Sequence, residues 1–257
     1  MRTALITGAS AGIGAAFARR LAGDAHGLVL VARNEARLAA FAEELAKEHG
    51  VPTEVLRADL ATDAGIAAVE ARLTDADRPV DLLVNNAGFG FKKGFLDVPI
   101  EDELAMLKVH IEAVLRLTRA AVPGMTERGK GYVVNVASVA AFVPRGTYGA
   151  SKSWVVQFTA GANRDLAGTG VRLQALCPGF TRTEFHQRAE MDMSRVGDWL
   201  WLDADHVVDQ SLRDLARGRS ICVPSRRYQA LVALSRKAPL GALGGMSNRM
   251  GRRPTER

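Results

Sequence analysis

Tyr148 and Lys152 occur in the run Tyr-Gly-Ala-Ser-Lys, and Ser138 lies a short way before them. Residues four apart on a helix share one face, so the phenol and the ammonium can project into one pocket. A nearby ammonium favours the phenolate and lowers the pKa of a tyrosine. Such a phenol can act as a general acid and base at neutral pH. The pair also occurs by chance in many helices, so its meaning depends on the surrounding elements.

A glycine-rich turn near the N-terminus is typical of a dinucleotide site. The apolar run Thr3–Thr7 leads into Gly8, Gly12 and Gly14, and a helical run follows. Glycine lets the backbone approach a pyrophosphate closely, and a helix N-terminus supplies free N–H groups. The spacing differs from the Rossmann Gly-x-Gly-x-x-Gly, so a plain glycine-rich turn is the alternative.

Two further motifs each follow an apolar run. Asn85-Asn86-Ala87-Gly88 comes after Val80–Val84, and Pro178-Gly179 comes after Val171–Cys177, with Thr183 just beyond. Small and amide residues at the carboxyl end of a strand suit a ligand-facing edge. Taken singly, the first motif is equally an Asx turn and the second a simple strand exit.

Strand-like and helix-like runs alternate along the chain without a break in composition. Amphipathic runs such as Glu35–His49 separate short apolar runs such as Leu28–Val31. This alternation predicts a single α/β domain with a Rossmann-type, doubly wound parallel sheet of about seven strands. The predicted strands are Thr3–Thr7, Gly27–Ala32, Thr53–Arg57, Val80–Val84, Gly131–Ala137, Val171–Cys177 and Ser220–Val223.

Length and composition are those of an ordinary globular domain. The 257 residues are 47% hydrophobic and 24% charged. The two cysteines, Cys177 and Cys222, have no metal-ligand spacing and fit a reducing compartment. Met1-Arg2-Thr3 leads directly into the first strand, and no apolar run has transmembrane length. We therefore expect a cytoplasmic protein without a metal site.

The C-terminus carries much of the net charge of +6. We predict a catalytic domain over residues 1–238 and a flexible, basic, glycine-containing tail over 239–257. Basic residues interleaved with leucines can contact an anionic membrane surface, whereas a solvated helix with a frayed tail is the simpler interpretation. Nucleic-acid binding is not expected, because no recognised module accompanies the charge.

Together, in this order, the motifs resemble the short-chain dehydrogenase/reductase family from Thr3 to about Pro224. The resemblance implies a nicotinamide-dependent enzyme that interconverts a small-molecule carbonyl and an alcohol, and a homodimer or homotetramer. It implies that Tyr148 is the general acid/base, that Ser138 orients the substrate oxygen, and that Lys152 lowers the tyrosine pKa and binds the nicotinamide ribose. It implies cofactor contacts at Gly8, Ser10, Gly12, Ile13, Gly14, Asp59, Leu60, Asn86, Ala87, Gly88, Tyr148, Lys152, Pro178, Gly179 and Thr183.

Two positions depart from the family pattern. The interval between Ser138 and Tyr148 is a few residues shorter than is usual, which affects the substrate-facing loop. His110 stands where many members have a fourth catalytic residue, an asparagine that holds a proton-relay water. A neutral imidazole can hold such a water, and His110 is equally interpreted as a packed histidine on a half-buried helix.

The residues after the second strand bear on the choice of cofactor. An acidic residue there would bind the ribose 2′-hydroxyl of NAD, but this chain has Arg33. An arginine can pair with a 2′-phosphate, so we predict a preference for NADP(H); a solvated loop arginine is the alternative.

The segment 184–202 lies where the family builds its substrate lid. Its aromatic residues and methionines suit a lipophilic substrate, although they would equally cover a core or an oligomer interface. The leading prediction is an NADP(H)-dependent carbonyl reductase or alcohol dehydrogenase. A catalytically weak NADP(H)-binding regulator or scaffold is the alternative, suggested by His110 and the shortened interval.

Overall fold

A computed structural model describes residues 1–91, 96–189, 193 and 196–237, without the side chains at 186, 188, 236 and 237. Within this part of the chain, seven parallel strands form one sheet in the order β3-β2-β1-β4-β5-β6-β7. The predicted Rossmann-type sheet is confirmed. The strands are β1 (Thr3–Thr7), β2 (Gly27–Ala32), β3 (Thr53–Arg57), β4 (Leu82–Asn85), β5 (Gly131–Val136), β6 (Val171–Leu176) and β7 (Ile221–Cys222).

Helices connect the strands, as parallel pairing requires. A π-helical turn, Lys108–Glu112, joins α4 to α5, and 3₁₀ turns cover Val139–Phe142 and Asp198–Leu200. The α-helices in the described residues are α1 (Gly12–Gly23), α2 (Glu35–His49), α3 (Asp63–Leu73), α4 (Ile100–Leu107), α5 (Ala113–Glu127), α6 (Gly146–Asp165), α7 (Phe185–Arg188), α8 (Ala204–Ala216) and α9 (Arg226–Lys237).

Alternate strand residues bury two hydrophobic layers. Ile6 and Leu30 pack with α1, α2 and α8 on one face of the sheet. Leu5 and Val31 pack with α3 and α5 on the other face. The strand β2 is buried along its whole length, which explains why Leu28–Val31 is continuously apolar.

The motif residues lie at this edge. Gly8, Asn86, Ser138 and Pro178 directly or closely follow β1, β4, β5 and β6. Since β1 lies between β2 and β4, the strand order reverses there and leaves the crevice in which such sheets bind ligands. The fold thus brings together motifs that are far apart in the sequence.

Some predicted boundaries were wrong by one or two residues. The fourth strand begins at Leu82 rather than Val80, because pairing with β1 starts at the Ala4–Leu82 register. The Asp81 carboxylate instead accepts a hydrogen bond from the backbone N–H of Thr3 at 2.9 Å. The predicted tail, 239–257, lies outside the described residues. Among the described helices, none has the length and apolarity needed to span a membrane.

Candidate active site

The three glycines of the turn have no room for a side chain. Gly8 and Gly12 have φ angles of +64° and +56°, in the left-handed region that favours glycine. A Cβ added to Gly14 would overlap the Gly8 carbonyl oxygen and the Asn86 amide. The residue before α1, Ala11, provides no side-chain cap for the first helical N–H groups. The turn is therefore a smooth backbone cradle with free donors, which is what a bound pyrophosphate requires.

Hydrogen bonds tie this cradle to the segment after β4. The Asn86 side-chain amide donates to the carbonyl oxygens of Thr7 and Gly8, at 3.0 and 3.2 Å. The Thr7 hydroxyl oxygen accepts from the backbone N–H groups of Asn86 and Ala87, both at 3.0 Å. The Asn-Asn-Ala-Gly motif thus holds the glycine turn in place.

The opposite wall of the cradle comes from the segment after β6. A Cβ added to Gly12 would lie 3.0 Å from Thr183 Cβ. The next residue, Glu184, forms a bidentate pair with Arg37 of α2, with Nη1–Oε2 at 3.0 Å. Both side chains are exposed, so this pair contributes little stability. The predicted cofactor residues Gly12 and Thr183 therefore do meet across the crevice.

Ser138 and Tyr148 lie close together despite the short interval between them. Ser138 begins the 3₁₀ turn Val139–Phe142, where its hydroxyl oxygen accepts from the Ala140 N–H at 3.1 Å. Since α6 then starts at Gly146, Tyr148 returns to the end of β5, where Ser138 is close enough to lower the pKa of its phenol. The compact turn compensates for the missing residues.

Lys152 lies beneath Tyr148 and is almost completely buried. Its Nζ donates to the Val136 carbonyl oxygen at 3.0 Å and lies 5.9 Å from the centroid of the Tyr148 ring. Burial lowers the pKa of Lys152 to about 8, because the interior disfavours its charge.

The predicted direction of the Tyr148 pKa was wrong. Burial raises the pKa of Tyr148 above its ordinary value, and the Ser138 hydrogen bond and the Arg145 charge only partly offset this. Lys152 is directed at the Val136 carbonyl, so its charge does not compensate for burial of a phenolate. Tyr148 is a protonated donor at neutral pH.

His110 lies within this cluster. It is fully buried in the π-helical turn, with its ring centroid 5.6 Å from that of Tyr148. Its Nε2 accepts from the Phe89 N–H at 3.2 Å, and its Nδ1 lies 3.0 Å from Ser151 Oγ. Burial, reinforced by the nearby Lys152 charge, lowers the pKa of His110 well below its ordinary value. The imidazole is therefore neutral.

Aromatic rings lie beside Tyr148 and in the segment after β4. The Phe185 ring lies 6.1 Å from Tyr148, and Phe89 packs edge-on against Phe91 at 5.6 Å. A Cβ added to Gly90 would lie 3.1 Å from the Tyr148 ring. Phe89 and Phe91 were not predicted as site residues. The only signal in the sequence was their position directly after the Asn-Asn-Ala-Gly motif. Of the predicted lid, Met191 lies outside the described residues, and Trp201 packs on Phe180 rather than on Tyr148.

The predicted adenosine side is a cavity of about 350 Å³ lined by Arg33, Arg57, Asp59 and Thr62, among others. Neither arginine forms an ion pair with a carboxylate in the described part of the chain. Arg57 was not predicted as a cofactor residue, because the sequence showed it only as the last residue of a strand. Asp59 Oδ1 accepts a hydrogen bond from the Ala61 N–H, and the Thr62 side chain caps the N-terminus of α3. The Leu60 side chain is buried in the core, which leaves only its backbone to contact a ligand.

Comparison with known proteins agrees with this geometry. A family model described as short chain dehydrogenase matches residues 2–194. Sulfoacetaldehyde reductase 2 of Chromohalobacter salexigens is 41% identical over 186 residues, which cover 70% of this chain and 73% of that protein.

Two solved structures superimpose on the whole chain. A short-chain dehydrogenase from Sphingobium yanoikuyae in complex with NADPH has a TM-score of 0.84 and 36% identity, over 100% of this chain and 98% of that one. A bulky-bulky ketone specific alcohol dehydrogenase from Comamonas testosteroni has a TM-score of 0.80 and 31% identity, over 100% and 97%. From its sheet order, its backbone cradle and these matches, the chain belongs to the short-chain dehydrogenase family of oxidoreductases.

Proposed function

We propose that the protein is an NADP(H)-dependent oxidoreductase that interconverts a lipophilic carbonyl compound and its alcohol. The observation that carries the proposal is that Ser138 and Tyr148 lie close together, beside the buried Lys152 and at the same sheet edge as the glycine cradle. Donors for a substrate oxygen and a cofactor cradle thus share one crevice.

The nicotinamide cofactor supplies the hydride when bound. Gly8, Gly12 and Gly14 would hold its pyrophosphate, because a Cβ at any of them would collide with Asn86, Ala87, Thr183 or the Gly8 carbonyl and force the turn open. Thr183 would cover it from the opposite wall, and the exposed backbone of Gly88 faces the Lys152 side of the crevice.

Tyr148 donates its proton to the substrate oxygen during carbonyl reduction. Its raised pKa keeps the phenol protonated until the developing alkoxide takes the proton. Ser138 hydrogen-bonds the same oxygen and orients it. Lys152, whose Nζ lies 5.9 Å from the centroid of the Tyr148 ring, would bind the nicotinamide ribose next to the proton donor.

Reduction should slow above about pH 8 if Lys152 must be charged. Its lowered pKa means that the charge is lost at a lower pH than for an exposed lysine, whereas Tyr148, with a raised pKa, is still protonated there. We expect kcat/KM for reduction to fall with a midpoint near the Lys152 pKa of about 8. In Lys152→Arg, whose guanidinium stays charged, the fall should move to higher pH. A profile that is flat to about pH 10, near the ordinary tyrosine pKa, would exclude this role.

The cofactor preference rests on Arg33 and Arg57. Both guanidinium groups line the cavity of about 350 Å³ and are free of carboxylate partners in the described residues, so a 2′-phosphate could pair with them. The similar Sphingobium protein was solved with NADPH.

Arg33→Asp should weaken NADPH binding by about 10- to 100-fold and NADH binding far less, because a carboxylate repels the 2′-phosphate. Dissociation constants from cofactor fluorescence would measure both effects. Arg217→Asp is the charge-matched control, since Arg217 ends α8 and does not line the cavity. An equal loss of affinity for NADPH and NADH would show that Arg33 does not bind the 2′-phosphate.

The proposed substrate class rests on the Phe185 ring beside Tyr148 and on the rings of Phe89 and Phe91 in the segment after β4. Apolar walls with few polar groups favour bulky, lipophilic carbonyls. The test is NADPH consumption over a panel of aliphatic, aromatic and steroid ketones. We expect turnover to rise with ring size. Tight NADPH binding without turnover of any carbonyl would instead favour the alternative of a regulatory NADP(H)-binding protein.

A further inference from the structure

We infer that His110 is a positioning residue that fastens the segment after β4 to helix α6, and that its ring has no nitrogen left to bind a relay water. The inference rests on the proposed reductase function. Three hydrogen bonds carry it: Phe89 N–H to His110 Nε2, His110 Nδ1 to Ser151 Oγ, and Ser151 Oγ to the Tyr148 carbonyl oxygen.

The contacts determine the tautomer. A backbone N–H can only donate, so Phe89 requires an unprotonated Nε2. The proton of a neutral imidazole must then be on Nδ1, which donates to Ser151 Oγ at 3.0 Å. The Ser151 hydroxyl donates in turn to the Tyr148 carbonyl oxygen at 2.8 Å. Every donor and acceptor of the ring is used once, so the chain of hydrogen bonds has a fixed direction.

Protonation of the ring would break this chain. An imidazolium would present an N–H to the Phe89 N–H, leaving two donors facing each other. Complete burial and the charge of Lys152 both oppose protonation. The rings of Phe89 and Tyr148 cover the imidazole at 6.1 and 5.6 Å. The connection is therefore maintained across the physiological pH range.

The two connected segments carry different parts of the site. Phe89 follows Gly88, and a Cβ added to Gly88 would lie 2.9 Å from His110 Nε2 and 3.6 Å from Lys152 Nζ. Ser151 lies between Tyr148 and Lys152 on α6. His110 therefore sets the spacing between the backbone beside the cofactor crevice and the turn that carries the proton donor. Small errors in such a spacing slow catalysis strongly.

The direct test is the ¹⁵N spectrum of the His110 imidazole in the full chain, which needs neither substrate nor turnover. We expect the Nδ1–H tautomer from about pH 5 to 9. An Nε2–H tautomer, or titration within this range, would overturn the inference without touching the proposed reductase function.

Variants supply the functional test. Ser151→Ala removes the Nδ1 acceptor but leaves the ring in place, so we expect kcat to fall about 3- to 10-fold with an unchanged pH profile. His110→Phe should lower kcat about 10- to 100-fold, and His110→Gln, whose amide oxygen can accept from Phe89, should recover part of it.

The matched control is Ser211→Ala. Ser211 is also buried and donates one hydrogen bond, to Gln174 Oε1 at 2.6 Å, but lies on α8 away from the crevice. It should lower the melting temperature about as much as Ser151→Ala without changing kcat. If kcat is unchanged in Ser151→Ala and the alkaline side of the kcat pH profile shifts in His110→Phe, His110 acts in a proton relay instead.

Discussion

Tyr148→Phe is expected to lower kcat for carbonyl reduction by about 10²- to 10⁴-fold, the range of a lost general acid. The substitution removes the hydroxyl that lies close to Ser138 and would protonate the substrate oxygen. The ring remains, with its contacts to His110 and Phe185. NADPH affinity should therefore change by less than about threefold, a difference below 1 kcal/mol. Steady-state kinetics and cofactor titration measure the two effects.

Tyr132→Phe is the matched control for this experiment. Tyr132 is a partly exposed residue of β5 that packs on the core, and its hydroxyl makes no hydrogen bond within the described residues. Its loss should leave kcat unchanged. A Tyr148→Phe enzyme with more than about a tenth of wild-type turnover would show that another group, or solvent, protonates the product.

Gly14→Ala is expected to abolish tight cofactor binding. The new methyl group would overlap the Gly8 carbonyl oxygen and the Asn86 amide, so the cradle must open and its hydrogen bonds to Asn86 must lengthen. We expect the NADPH dissociation constant to rise at least about tenfold. Overpacking should also cost about 1–3 kcal/mol of the free energy of unfolding. Calorimetric titration and denaturant unfolding would measure these changes.

Gly23→Ala provides the control on the same helix. Gly23 ends α1, and a Cβ there would meet nothing within 4 Å. This variant should bind NADPH normally and be as stable as the wild type, or more stable by up to about 1 kcal/mol. Similar losses in both variants would mean that α1, rather than the cradle, is sensitive to substitution.

The sequence was a good guide to the elements and to the residues at their ends. Alternating apolar strands and amphipathic helices predicted the parallel sheet, because burial on both faces leaves a continuous apolar run such as Leu28–Val31. The structure places Ser138 close to Tyr148 despite the short interval, because the 3₁₀ turn Val139–Phe142 occupies most of the residues between them.

Several features of the site could not be predicted from sequence pattern. Arg57 ends β3, and only the pairing of β2 with β3 brings it to the same cavity as Arg33. Phe89 and Phe91 gave no periodic signal because they lie in a loop. The predicted lowering of the Tyr148 pKa was wrong, since the sequence showed a nearby charge but not the cost of burying a phenolate.

The sequence by itself determined the family, the strand and helix order, and the identity of the groups that can do chemistry, because motif spacing and hydrophobic period are local properties of the chain. The tertiary structure decided the state of those groups: a protonated Tyr148, a Lys152 with a lowered pKa, and a neutral His110 engaged on both sides. Protonation and hydrogen-bond direction depend on burial and on partners from distant segments, and these exist only once the chain has folded.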